Sequence, residues 1–129
     1  MVCLETTFLI DVLKKDPNVK SLIESLEGTE PLFVASPSIM ELWSGAQRAE
    51  LPEAEKIKIN SLLASVITLP LDEETAKKAG EIEAILAKLG EMIDIEDIMI
   101  AAIAKINNEK LITRDQHYAR IEGLQIEKY

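Results

Sequence analysis

Residues 93–106, IDIEDIMIAAIAKI, limit the possible folds of this chain more than any other stretch. Ile95, Ile98, Met99, Ala102 and Ile106 recur at helical spacing, and Ile100, Ala101, Ile103 and Ala104 fill most of the remaining circumference. A helix apolar on nearly every side has no face to present to water, so it is expected at the centre of the protein, covered on both flanks. Its first turn, by contrast, is acidic. Asp94 is placed to cap it, which puts Asp97 at the third helical position, where unpaired backbone amides and the helix dipole favour an anion.

The segments that must cover this helix follow from the same kind of reading. Val2 to Leu4 suits a short buried strand, and Thr6 or Thr7 is placed to cap a helix carrying Leu9, Ile10, Val12 and Leu13. Val19, Leu22, Ile23 and Leu26 predict a second helix stopping at Gly28, and Pro31 to Ala35 reads as another strand. Ser36 or Ser38 is expected to start a helix with the stripe Ile39, Leu42, Trp43 and Ala46, which gives Trp43 a core or partner-contact role. Glu41 falls nearly opposite that stripe.

Pro52 fits the first turn of a helix with Ile57, Ile59, Leu62 and Leu63, followed by a strand over Val66 to Leu69. Asp72 opens a helix with Ala79, Ile82, Leu86 and Leu89 that Gly90 closes. After the apolar helix, Lys110 to Thr113 is a strand with Asp115 just beyond it. His117 to Ile121 is a short helix, and Leu124 to Glu127 a last edge strand.

Strands alternating with helices define an α/β domain with a mainly parallel central sheet and helices on both faces. At 129 residues, the span 1–129 is read as one domain. Hydrophobic residues at 47% and charged residues at 29% exclude a disordered chain. The net charge of −9 argues against a nucleic-acid binder that works by neutralising phosphates, yet leaves open a nuclease whose bound cations invert the local field. Cys3, the sole cysteine, is expected in a buried strand and forms no intrachain disulfide. Glu5 and Asp11 interrupt the apolar start, so neither a signal peptide nor a membrane span is expected, and the location is read as cytoplasmic.

Glu5 and Asp115 each stand directly after a strand, and the carboxyl ends of parallel strands form the usual ligand crevice. Asp97 and Glu41 approach the same crevice from their helices. Gathered there, four carboxylates would repel one another without protons or cations. Magnesium prefers such hard oxygen donors and takes phosphate oxygens into its shell, which suits phosphodiester hydrolysis. Each residue also has an ordinary reading: a helix-start or loop charge for Glu5, a solvated helix face for Glu41, a helix N-terminus for Asp97 and a turn or cap for Asp115. Asp94 reads as a cap, and Glu96 as a solvated charge or one supporting the site from behind. The single His117 makes no zinc site by itself.

The order MVCLETTFLIDVL, SIMELWSGA, DIMIAAIA and LITRDQHYARIEGLQI resembles the PIN-domain family, in particular its VapC-like toxin ribonucleases, across essentially the whole chain. The resemblance implies a catalytic and metal-binding set of Glu5, Glu41, Asp97 and Asp115 that takes Mg2+ or Mn2+ to hydrolyse RNA. Thr6 and Thr113 match the small hydroxyl residues that orient those acids. Arg114 is a candidate RNA contact, His117 and Tyr118 are candidates to line the cleft, and Arg48 is read as an exposed ion pair, with contact to phosphate or bracing of a carboxylate as its alternatives. An antitoxin partner and a homodimer are implied as well. The departure is Glu5, where the family usually has Asp, because one added methylene shifts the donor oxygen. A nuclease acting on DNA and a catalytically silent binding module are the rival expectations.

Overall fold

The computed structural model describes residues 2–28 and 31–129. Its middle layer consists of short strands: β1 (Val2–Leu4), β2 (Leu32–Ala35), β3 (Ile67–Leu69), β4 (Lys110–Ile112) and β5 (Ile126–Glu127). They pair in the order β3-β2-β1-β4-β5, and every pairing is parallel. Val2 sits opposite both Leu32 and Lys110, which fixes β1 as the central strand.

Side chains alternate along these strands, so neighbouring residues enter different cores. Val2, Leu4, Leu32, Val34 and Ile112 join one apolar cluster, while Cys3, Ala35 and Leu111 join the other. The first cluster is closed by α1 (Thr6–Leu13), α2 (Pro17–Glu27), α3 (Ser36–Gln47) and α4 (Pro52–Leu63); the second by α5 (Glu73–Leu89) and α6 (Ile95–Ile106). The α6 helix is the one expected to be central, and Ile98 and the whole run Ile100 to Ala104 are fully buried. Covering it requires contacts on several sides, which α5, α3, β2 and β4 supply.

Some local expectations are corrected. The cap of α1 is Glu5, whose carboxylate accepts from the Thr7 amide; Thr6 and Thr7 lie inside the helix. An extended backbone at Glu5 directs its long side chain back over the first turn, which the threonines cannot do from helical positions. Asp94 occupies the cap position of α6 without a capping side-chain hydrogen bond; α3 does start at Ser36, with Ala35 at the cap position and no side-chain hydrogen bond there. Trp43 is 37% exposed at the edge of its stripe, with the Lys56 ammonium 5.5 Å from its ring centre, so it is not a core residue. Ile57 and Leu89 are exposed too, because only one narrow face of α4 and of α5 meets the protein.

Other boundaries differ by a residue or two. The third strand begins at Ile67, and the last is shortened to Ile126–Glu127 because the chain first turns through Gly123 with φ of +79°. A 3-10 helix over Gln116–Arg120 stands where a short helix was expected. As expected, Asp72 caps α5, in a reciprocal pairing with Thr75, and Gly90 closes it in the left-handed conformation.

Candidate metal centre

The chain builds β2 and β3 on one side of β1, then returns to add β4 and β5 on the other. This reversal opens a crevice at the carboxyl ends of β1 and β4, the place where open parallel sheets bind ligands. Glu5 follows β1, Thr113 and Asp115 follow β4, the first turn of α6 supplies Asp97, and α3 supplies Glu41.

Glu5 is only 2% exposed, and protein donors meet both of its oxygens. Oε2 accepts from the Thr7 amide at 2.9 Å, from the Thr7 hydroxyl, and from the Thr113 hydroxyl at 2.8 Å. Oε1 faces the hydroxyl of Tyr118 at 3.3 Å, and that same hydroxyl lies 3.1 Å from Asp97 Oδ1. Tyr118 is fully buried, so its phenol ends between two carboxylates. Burial foremost, then the charges of Glu5 and Asp97, push its pKa far upward and keep it a donor.

Asp97 is 8% exposed. Its pKa is pushed up to about 6, mainly by burial, with the charges of Asp115, Glu5 and Glu41 adding to the rise against the Tyr118 hydrogen bond. Glu41 is also raised by burial, with further contributions from Glu5, Glu96 and Asp94, while the Thr6 hydroxyl bonded to Oε1 at 2.8 Å works the other way. That hydroxyl has one proton, shared between Glu41 Oε1 and the Ser38 Oγ that lies 2.9 Å away. Glu41 is therefore held by a buried hydroxyl chain running between α1 and α3.

Asp115 Oδ1 accepts from the His117 amide at 2.9 Å and lies 3.2 Å from His117 Nδ1. Asp97, Asp115 and His117 each offer one ligand atom, and the three atoms lie within 4.8 Å of one another. Two carboxylates and an imidazole at that spacing form a candidate site for a divalent cation. Among the described residues no Lys or Arg is ion-paired to Glu5, Glu41, Asp97 or Asp115. Arg114 is turned to the rim, where Nε donates to Asp11 Oδ2 at 3.0 Å beside the Tyr129 hydroxyl at 2.7 Å. Thr113 hydrogen-bonds Glu5 and Thr6 hydrogen-bonds Glu41; Arg114 reaches none of the four acids.

Sequence reasoning missed the tie from Tyr118 to Glu5 and Asp97, although it counted Tyr118 as a cleft residue. The available signal was a tyrosine three positions after Asp115 in a short helix that closes the last parallel connection. His117 was likewise placed near the cleft, but not as a third donor.

The raised Asp97 carboxyl has a measurable consequence. Its folded pKa of about 6 exceeds the ordinary 3.8, so between those values the folded chain binds more protons than the unfolded one. The resulting stabilisation is complete below about pH 4 and is lost as pH rises through about 6, amounting to at most ~3 kcal/mol. In chelator, Asp97→Asn is expected to match wild type near pH 4 and to exceed it in urea unfolding at pH 7. An equal gap at both values would refute this account.

The fold and site together define the class: residues 2–124 match the PIN domain family, and the chain belongs to it. Within that family it is VapC-like. It is 29% identical over 127 residues to ribonuclease VapC2 of Haemophilus influenzae, an alignment covering 98% of this chain and 96% of the relative. The DNA-bound VapBC structure from Salmonella typhimurium superposes with a TM-score of 0.91 at 26% identity, covering 99% of this chain and 98% of the other. VapBC-5 from Mycobacterium tuberculosis, a member of the VapBC family of toxin-antitoxin systems, gives 0.64 at 26% identity over 75% of this chain and 79% of its own. No helix among the described residues is long and apolar enough to cross a membrane.

Proposed function

We propose that this protein is a divalent-metal-dependent endoribonuclease, the toxin of a toxin–antitoxin pair. The carrying observation is the convergence of Asp97, Asp115 and His117 donors within 4.8 Å at the sheet crevice of a VapC-like fold. In this reading Asp97 and Asp115 hold Mg2+ or Mn2+ with His117 beside them. Glu5, expected from the sequence to hold the metal directly or through water, acts from behind, because its oxygens already take protein donors. Glu41 forms the opposite rim, where burial foremost, then the charges of Glu5, Glu96 and Asp94, raise its pKa.

The bound ion would neutralise phosphate charge and make water acidic enough to attack in line. Attack by water forms a new phosphorus–oxygen bond, breaks the bond to the 3′ oxygen and leaves 3′-hydroxyl and 5′-phosphate ends. Arg114 at the rim would meet the incoming backbone once it leaves Asp11.

A VapB-type antitoxin and a homodimer belong to the same proposal, as does a cytoplasmic site of action, where RNA is met. A groove of about 650 Å³ between α1, α3 and α4 runs beside Glu41, lined by Leu13, Lys15, Gly45 and Lys58 among others; it gives an antitoxin segment a route to the acids. Exposed Met40, Met92 and Ile95 supply apolar surface for a second copy.

The test is cleavage of a panel of RNAs and single- and double-stranded DNAs in Mg2+, Mn2+ or excess chelator. RNA cutting that needs the metal is the expected result. Cutting that persists in chelator removes the mechanism; cutting of DNA alone would establish a different nuclease. No cutting, with no metal bound by folded protein, would establish a silent module.

A further inference from the structure

Among the described residues Tyr118 is the largest fully buried side chain, and it lies under the crevice rather than in it. Its 3-10 helix hangs from Asp115, whose carboxylate caps it, so the ring is carried by the same segment that presents Asp115 and His117. The ring then crosses beneath the site, and its hydroxyl reaches Glu5 Oε1 at 3.3 Å and Asp97 Oδ1 at 3.1 Å. Three segments far apart in sequence, 5, 97 and 115–118, are joined at one oxygen atom.

We propose that Tyr118 is a positioning residue: its phenol couples Glu5 to Asp97 and thereby sets where Asp97 presents its carboxylate to the metal. This rests on the ribonuclease reading above. A phenol has one proton, so it donates to one carboxylate at a time and keeps both within hydrogen-bond reach of one atom. Glu5 cannot swing away, since Thr7 and Thr113 fix its other oxygen. Asp97 is thus anchored to β1 and to the loop after β4 as well as to its own helix. The length of Glu5 matters in this arrangement. Removing one methylene withdraws the carboxylate by about 1.5 Å, which takes a 3.3 Å contact beyond hydrogen-bond distance.

The experiment is Mn2+ binding by calorimetry to folded wild type, Tyr118→Phe, Glu5→Asp and the double variant, with unfolding curves for each. Tyr118→Phe removes a single oxygen and is expected to weaken Mn2+ binding about 10-fold, the usual scale for a group that orients a ligand. Glu5→Asp is expected to weaken it comparably, and the double variant to be no weaker than Glu5→Asp alone, since both changes cut the same link.

An unchanged Mn2+ affinity in Tyr118→Phe overturns the proposal even where stability falls, because packing alone would lower stability and leave affinity intact. Losses that multiply in the double variant overturn the link through Glu5. If Tyr118→Phe does not fold, Glu5→Asp decides the matter, and wild-type affinity in that variant overturns the proposal. Folded wild type that binds no Mn2+ overturns the ribonuclease reading and the role of Tyr118 with it, an outcome distinct from the other three.

Discussion

Asp97→Asn is expected to lower metal-dependent RNA cleavage by at least about 100-fold, the scale on which a misplacement near 1 Å at a reacting centre is felt. Asn keeps the shape of the side chain and an oxygen that can still accept from Tyr118, so the packing around α6 is preserved. What it removes is a carboxylate charge whose ligand atom lies within 4.8 Å of those of Asp115 and His117, and an amide oxygen is a far poorer partner for a hard cation. The same change relieves repulsion from Asp115, Glu5 and Glu41, so the metal-free variant should be at least as stable as wild type at pH 7. Loss of activity with stability retained separates a chemical role from a folding defect. Single-turnover rates on an RNA that wild type cuts are the measurement, and a variant within about 3-fold of wild type would end the assignment of Asp97.

Ile100→Ala should cost about 3 kcal/mol, within the usual range of roughly 2–5 for truncating a buried isoleucine. Ile100 has no exposed surface and lies in the middle of α6, where the core cluster on that side of the sheet surrounds it. The void left behind cannot be filled cheaply, since α6 is gripped by α5, α3 and two strands and has no free side toward which to relax. Against a total stability of about 5–15 kcal/mol for a domain of this kind, such a loss is large. Urea unfolding with an unchanged slope and a lowered midpoint would report it. Ile85→Ala, on the exposed face of α5, is the control and should stay within about 0.5 kcal/mol of wild type. A cost below about 1 kcal/mol at Ile100 would contradict a tightly packed centre.

The layered architecture was readable because α6 and the short strands advertise their burial. A run such as Ile98 to Ala104 can only be internal, and strands such as Val2–Leu4 are too short and apolar to stand anywhere but between two layers. Amphipathic surface elements were less legible. In α3 and α4 the apolar residues outnumber the positions that the fold covers, so Trp43 and Ile57 fall outside the core for reasons that lie in neighbouring elements and not in their own periodicity.

The site shows the same division. Placing acids immediately after strands located Glu5 and Asp115 at the crevice, because chain direction in a parallel sheet carries that information. Their partners are set by side-chain reach across the fold, which spacing does not encode. Thr7 and Tyr118 meet Glu5 from two and 113 residues away, and Arg114, adjacent to Asp115 in sequence, turns instead to Asp11. Glu5 was read as a helix-start charge among its alternatives, yet the cap itself was assigned to Thr6 or Thr7: threonine is the commoner cap, and only the extended backbone at residue 5 reveals which residue performs it.

The position of β4 next to β1 has a consequence for timing. The first strand of the chain finds its second neighbour only when residues 110–112 arrive, and Asp115 with His117 follows them. Until then a growing polypeptide possesses Glu5, Glu41 and eventually Asp97, but neither of the two donors that complete the cluster. On the ribonuclease reading proposed above, a nascent chain therefore lacks the complete metal cluster until residues 115–117 have been added, after the strands and helices that carry the other acids.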